Sequence, residues 1–106
     1  MSEGSSTYQV LIAEDEDLNF LFLDLLFRKV GQGAYQIHRA VNGLEAVEYC
    51  KSHPVDIILM DLKMPVMDGY DATLIIKKEY PGIPIIVQTA YTGESDRQKA
   101  FECGCD

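Results

Sequence analysis

Four side chains stand out by type and by position: Glu14, Asp15, Asp61 and Thr89 each follow directly on an apolar run. The runs are residues 8–13, 55–60 and 83–88. If these runs are parallel strands, their carboxyl ends lie along one edge, where open parallel sheets build their sites. Three carboxylates gathered there repel one another, and at least one has its pKa raised. A divalent cation relieves that repulsion, and Mg2+ takes oxygen ligands while keeping several waters. Asp15 and Asp61 are candidates for direct ligation and Glu14 for ligation through a water. A backbone carbonyl in the loop after Asp61 is a candidate for a further oxygen. No His or Cys falls at these positions, so zinc fits poorly. A carboxylate can also attack a phosphoryl group and hold it as an aspartyl-phosphate. The metal then offsets charge on the transferred oxygens. The Thr89 hydroxyl is placed to donate to one of them, and Ala90 leaves room beside it.

Each residue also has a plainer reading. Glu14-Asp15 reads equally as a solvated helix start favoured by the helix dipole. Asp61 reads as a strand-terminal turn residue, and Thr89 as a hydroxyl capping a loop. His38 and His53 lie away from the strand ends and read as surface or internally satisfied residues. Tyr91 reads as an exposed loop residue, Cys103 and Cys105 as packing, and Asp68-Gly69 as a turn.

The elements that would position these groups follow from the apolar pattern. Strands are expected at 8–13, 34–41, 55–60 and 83–88, since short apolar runs suit strands buried on both faces. Helices are expected at 18–30, 44–51, 70–79 and 93–102, bounded by Gly31, His53-Pro54, Tyr80-Pro81-Gly82 and Gly104. Asp17 and Asn42 are candidate N-caps. In the first helix Asp17, Asp24 and Arg28 share one polar edge. Asn19, Phe22, Leu23, Leu26 and Val30 are expected to meet the sheet. Alternating strands and helices with short connections mean an α/β layer fold with a parallel sheet. Right-handed crossovers place helices on both faces.

The chain has 106 residues, 47% of them hydrophobic and 25% charged, which is one globular domain. Residues 1–7 read as a mobile tail or linker and 8–106 as the domain. Seventeen acidic residues against nine basic give a net charge of −8. Bulk-charge binding to nucleic acid or to an anionic membrane is therefore disfavoured. The three cysteines and the absence of a signal-peptide pattern point to reduced thiols in the cytoplasm. The most apolar stretch, 18–30, is broken by Asn19, Asp24, Arg28 and Lys29 and does not read as a membrane span.

Several segments together resemble a response-regulator receiver domain. Leu11 to Asn19 resembles the opening of that family, and Ile57 to Gly69, with its Asp61, Met64-Pro65 and Asp68-Gly69, resembles the phosphoacceptor segment. Pro84 to Ala90 resembles the switch strand, and Asn42 to Val47 and Ala100 to Asp106 also fit. The resemblance spans about residues 8–106. It implies a flavodoxin-like doubly wound parallel sheet of order 2-1-3-4-5. It implies Asp61 as phosphoacceptor, Glu14 and Asp15 as the acidic metal pair, the Lys63 carbonyl as a Mg2+ ligand and Thr89 as the switch hydroxyl. The phosphoryl donor would be a phosphohistidine on a histidine kinase or a histidine phosphotransfer domain. The Leu18 to Leu23 segment looks most like receivers of hybrid sensor kinases.

The family pattern also contains a fifth strand bearing a lysine, an aromatic switch residue and a fifth helix. The sequence ends at Asp106, where that strand would begin, and neither Lys63 nor Lys99 holds the lysine's place. The expectation is a domain truncated at its C-terminal end, with an open strand edge and with Phe20, Leu25 or Phe27 exposed. Dimerisation or domain swapping would follow. Three functions are weighed. The first is a phosphoacceptor module that phosphorylates itself from a phosphodonor rather than turning over a substrate. The second is a receiver-like interaction domain that carries no phosphate. The third is a haloacid-dehalogenase-like phosphatase, which would need an aspartate where Lys63 stands.

Overall fold

The computed structural model describes residues 7–31 and 33–88. Four apolar segments pair as a parallel sheet: β1 (Tyr8–Ala13), β2 (Tyr35–Ala40), β3 (Ile57–Asp61) and β4 (Ile85–Gln88), in the order β2-β1-β3-β4. Three helices connect them: α1 (Asp17–Gly31), α2 (Gly43–Ser52) and α3 (Gly69–Glu79). The order is that of the flavodoxin-like sheet over its first four positions, as the resemblance implies. Among the described residues no helix is long and apolar enough to cross a membrane. The expected last helix, with Cys103 and Cys105, lies outside the described residues.

Alternate residues of each strand face opposite layers. Leu11, Ala13, Ala40, Ile58, Met60 and Ile85 pack against Ala46, Val47 and Cys50 of α2 and Ala72 and Ile76 of α3. Val10 and Ile12 face the other way and meet Leu23 of α1, with Ile57 and Leu59 partly covered. Burial pushes the Cys50 thiol up to about 11, so it behaves as a small apolar side chain.

Two of the three helix starts are capped by side chains. Asn42 Oδ1 accepts from the Glu45 amide at 2.8 Å, the cap expected from the sequence. Asp68 Oδ1 accepts from the Asp71 amide at 3.0 Å, so Asp68-Gly69 is the start of a helix rather than a bare turn. Asp17 is the first helical residue of α1, not its cap, since the Glu16 carbonyl already accepts from the Phe20 amide, and its carboxylate pairs with Arg39 at 2.8 Å.

The face of α1 also differs from expectation. Phe20, Leu23 and Phe27 meet the sheet, while Asn19, Phe22, Leu26 and Val30 are exposed. The cause lies in β2. Phe27 packs edge-on against Tyr35 with ring centroids 5.3 Å apart, and the Arg39 guanidinium sits 4.8 Å over the Phe20 ring. These aromatic contacts rotate the helix toward β2. Phe20 and Phe27 are thus half-buried, whereas Leu25 is exposed as expected. His38 is satisfied by Gln9 Oε1 at 2.7 Å, and His53 stacks on Tyr49 at 4.2 Å.

Candidate functional site

Register brings the acidic residues together. Ala13, the last residue of β1, lies beside Met60 of β3, so Glu14 just past β1 and Asp61 at the end of β3 emerge side by side. Glu14, Asp15 and Asp61 each present a carboxylate oxygen within 4.8 Å of the others. Glu14 is buried, Asp61 half-buried and Asp15 exposed, so the cluster opens to solvent at Asp15. Thr89 comes next in sequence after β4 and lies outside the described residues.

Each acid is held by the local backbone. The Glu14 amide donates to the Ala40 carbonyl at 2.9 Å, and its carboxylate accepts from the Glu16 amide at 3.2 Å. Asp61 Oδ1 accepts from the Lys63 amide at 3.3 Å, which folds the chain back over the strand end. The loop after Lys63 is anchored at both sides. Gly69 donates to the Leu62 carbonyl at 3.0 Å, and Gly43 donates to the Met67 carbonyl at 2.7 Å. A Cβ on Gly43 would fall on that same carbonyl oxygen, so only glycine allows the approach. Val66 sits between these anchors at φ 68, a left-handed backbone that a β-branched residue adopts only under constraint.

The electrostatics are those of crowded acids. Burial, foremost, and the charges of Asp61 and Asp15 push the Glu14 carboxyl up, against the lowering effect of the Glu16 amide. Burial, foremost, and the Asp15 charge push the Asp61 carboxyl up, against the lowering effect of the Lys63 amide. A set of oxygen donors whose mutual repulsion a cation would relieve fits a hard divalent ion. The sign of the pH effect follows. A carboxyl raised on folding adds stability below its unfolded pKa and loses it as pH rises through the folded value. With chelator present, the melting temperature is expected to rise as pH falls from neutral toward the ordinary carboxylate range. Added Mg2+ is expected to flatten that dependence. A melting temperature that falls steadily over this window in chelator would contradict the crowded-acid reading.

Sequence reasoning missed one contributor. A lone arginine in a short strand reads as solvent-facing, but Arg39 reaches the Glu14 carbonyl and the Asp17 carboxylate.

The chain matches the response regulator receiver domain family over residues 10–106. It belongs to that family. As a receiver domain it is a module of two-component signalling. It is 35% identical over 103 residues to the polar-differentiation response regulator DivK of Brucella ovis, covering 94% of this chain and 80% of that one. It is 37% identical over 101 residues to hybrid signal transduction histidine kinase G of Dictyostelium discoideum, covering 92% of this chain but 3% of that protein. The receiver domain of a sensor histidine kinase from Pseudomonas aeruginosa PAO1 superposes with a TM-score of 0.84 at 31% identity. That alignment covers 94% of this chain and 81% of the other, whose structure has a magnesium ion coordinated in the active-site cleft.

Proposed function

We propose that this receiver accepts a phosphoryl group from a phosphohistidine onto Asp61, with Mg2+ held at the acidic cluster. The observation that carries the reading is the convergence of Glu14, Asp15 and Asp61 within 4.8 Å at the ends of adjacent strands. The magnesium ion in the Pseudomonas relative supports the choice of cation. Asp15 and Asp61 would ligate the ion directly, Glu14 through a water, and the Lys63 carbonyl would add a fourth oxygen. Bound there, Mg2+ supplies positive charge against the oxygens of the transferred phosphoryl group.

The remaining chemistry belongs to the chain. A carboxylate oxygen of Asp61 forms a bond to phosphorus as the phosphorus–nitrogen bond to the donor imidazole breaks. The imidazole keeps that electron pair and takes a proton from solvent. The Lys63 amide, already on Asp61 Oδ1, orients the carboxylate. We assign Thr89 as the hydroxyl that donates to a phosphoryl oxygen and so draws the following segment toward the site. The donor would be a histidine kinase or histidine phosphotransfer domain in the cytoplasm.

Treatment with acetyl phosphate and Mg2+ is expected to add one phosphoryl group by intact mass. No adduct in a folded, Mg2+-binding chain would favour an interaction domain that carries no phosphate. Repeated turnover of a small phosphoester would favour a phosphatase.

Self-association is also proposed. Phe22 is 66% exposed, Val30 69% and Ile86 46%, and among the described residues β4 pairs on one side only. Open edges and apolar patches of this kind recruit another chain. Sedimentation velocity at rising concentration is expected to show a dimer, weakened by Phe22→Glu. A monomer throughout would remove this part of the proposal.

A further inference from the structure

The guanidinium of Arg39 is spent on the loop that carries the acidic pair. Its Nε donates to the Glu14 backbone carbonyl at 3.1 Å and its Nη1 to Asp17 Oδ1 at 2.8 Å. Those two acceptors bracket Asp15. Its flat face lies over Phe20, one turn into α1. Nη2 is buried and has no hydrogen-bond partner among the described residues.

This arrangement is a poor stabilising device. The Asp17 side chain is 93% exposed, and ion pairs to such groups add little stability. A buried donor left without an acceptor is unfavourable. A methionine would cover Phe20 without burying an unpaired donor, but would release the Glu14 carbonyl and Asp17. What only the planar fork supplies is two directed bonds, one on each side of Asp15.

We propose that Arg39 is a positioning residue that sets the Glu14–Asp17 turn in the geometry that receives the cation. The inference rests on the reading of the acidic cluster as a Mg2+ site. Glu14 is then fixed from three directions: its amide on Ala40, its carboxylate on the Glu16 amide and its carbonyl on Arg39. Asp15, exposed and between the two clamped residues, takes its direction from them. β2 contributes no ligand of its own, yet it holds the turn from its own last residues, Arg39 and Ala40.

The sign of one measurement separates positioning from charge. Removing a positive charge near an acidic site, and freeing Asp17 at the same time, tightens Mg2+ binding if electrostatics alone operate. Loss of a positioning contact weakens it, by about tenfold for a partner that orients metal ligands. Arg39→Met is expected to keep the melting temperature of the metal-free chain and to weaken Mg2+ binding by calorimetry by about tenfold. Arg39→Lys keeps the charge but cannot hold both acceptors in one plane, and is expected to weaken binding in the same direction. It also stands in if Arg39→Met fails to fold. Amide hydrogen exchange at Glu14 and Glu16, read in chelator, is expected to speed up in both variants.

Unchanged or tighter Mg2+ binding in Arg39→Lys or in folded Arg39→Met would overturn the inference, as would unchanged exchange at those two amides. Absence of Mg2+ binding in the unsubstituted chain would overturn the functional reading instead. The exchange comparison needs no metal and would still decide whether Arg39 holds the turn.

Discussion

Asp61→Asn is expected to abolish phosphoryl incorporation from acetyl phosphate while raising the melting temperature of the metal-free chain. The two effects have one origin. The carboxylate is the proposed nucleophile, and an amide oxygen in its place lacks the charge to attack phosphorus, so the loss is expected to exceed about a hundredfold. The same charge is half-buried beside Asp15 and Glu14, and burial and the Asp15 charge push its pKa up. Asparagine is nearly isosteric and neutral, so it removes repulsion and leaves the fold intact. The Lys63 amide, now on Asp61 Oδ1 at 3.3 Å, can be accepted by the asparagine oxygen. Mg2+ binding is expected to weaken in parallel, because one anionic ligand is lost. Higher thermal stability together with lost incorporation separates chemistry from unfolding. An adduct of equal yield on the variant would place the phosphoryl group elsewhere and end the proposal for Asp61.

The strand ends were the legible part of this molecule, and the reason is physical. A strand buried on both faces must be apolar along its whole length, so the first carboxylate after it marks where it leaves the sheet. That reasoning finds Glu14, Asp15 and Asp61 without any structure, and register then draws them within 4.8 Å. The facing of α1 was not legible in the same way. Leu18, Leu21, Phe22, Leu25 and Leu26 form one apolar stripe and Phe20, Leu23 and Phe27 another on the opposite side, so the pattern offers two faces to the sheet. Tyr35 and Arg39 decide the facing from a different element, by an edge-on ring contact and a guanidinium stack. Arg39 itself was missed because its partners, Glu14 and Asp17, are 25 and 22 residues away in sequence. Asp68 followed by Gly69 carries both turn and cap signals, and only the bond to Asp71 shows which one operates. Thr89 lies outside the described residues, and its proposed role rests on its place after the fourth apolar run and on the family pattern.

The loop from Lys63 to Asp68 connects these observations to stability, because three amide hydrogen bonds hold it over the site. Lys63 is tied to Asp61, Met67 to Gly43 and Gly69 to Leu62. Val66, 78% exposed and at φ 68, lies between the first two. A loop that keeps a β-branched residue in the left-handed region must be held by its ends. Its anchors are therefore where substitution should cost most.

Gly69→Ala is the sharpest test of that anchoring. In an ordinary helix this change stabilises by roughly 0.5–1 kcal/mol, since alanine restricts the unfolded chain and favours helix. Here the sign is expected to reverse. Gly69 is buried at the first position of α3, and an added Cβ would fall on the carbonyl oxygen of Asp61 and within 2.9 Å of Leu62 Cα. Both obstacles are backbone at the end of β3, so no side chain can swing aside. The helix start must retreat, which stretches the Gly69 amide's bond to the Leu62 carbonyl, now 3.0 Å. Overpacking of this kind costs about 1–3 kcal/mol, and the lost helix gain adds to the contrast with an ordinary site. Urea denaturation is expected to show a lower midpoint with an unchanged slope. Gly82→Ala is the control, because nothing lies within 4 Å of a Cβ there, and its effect is expected to stay within about 0.5 kcal/mol. Because the added Cβ crowds the Asp61 carbonyl, Gly69→Ala is also expected to weaken Mg2+ binding, whereas Gly82→Ala leaves it unchanged. If Gly69→Ala proved as stable as the unsubstituted chain, the loop would not be seated on the end of β3 as described.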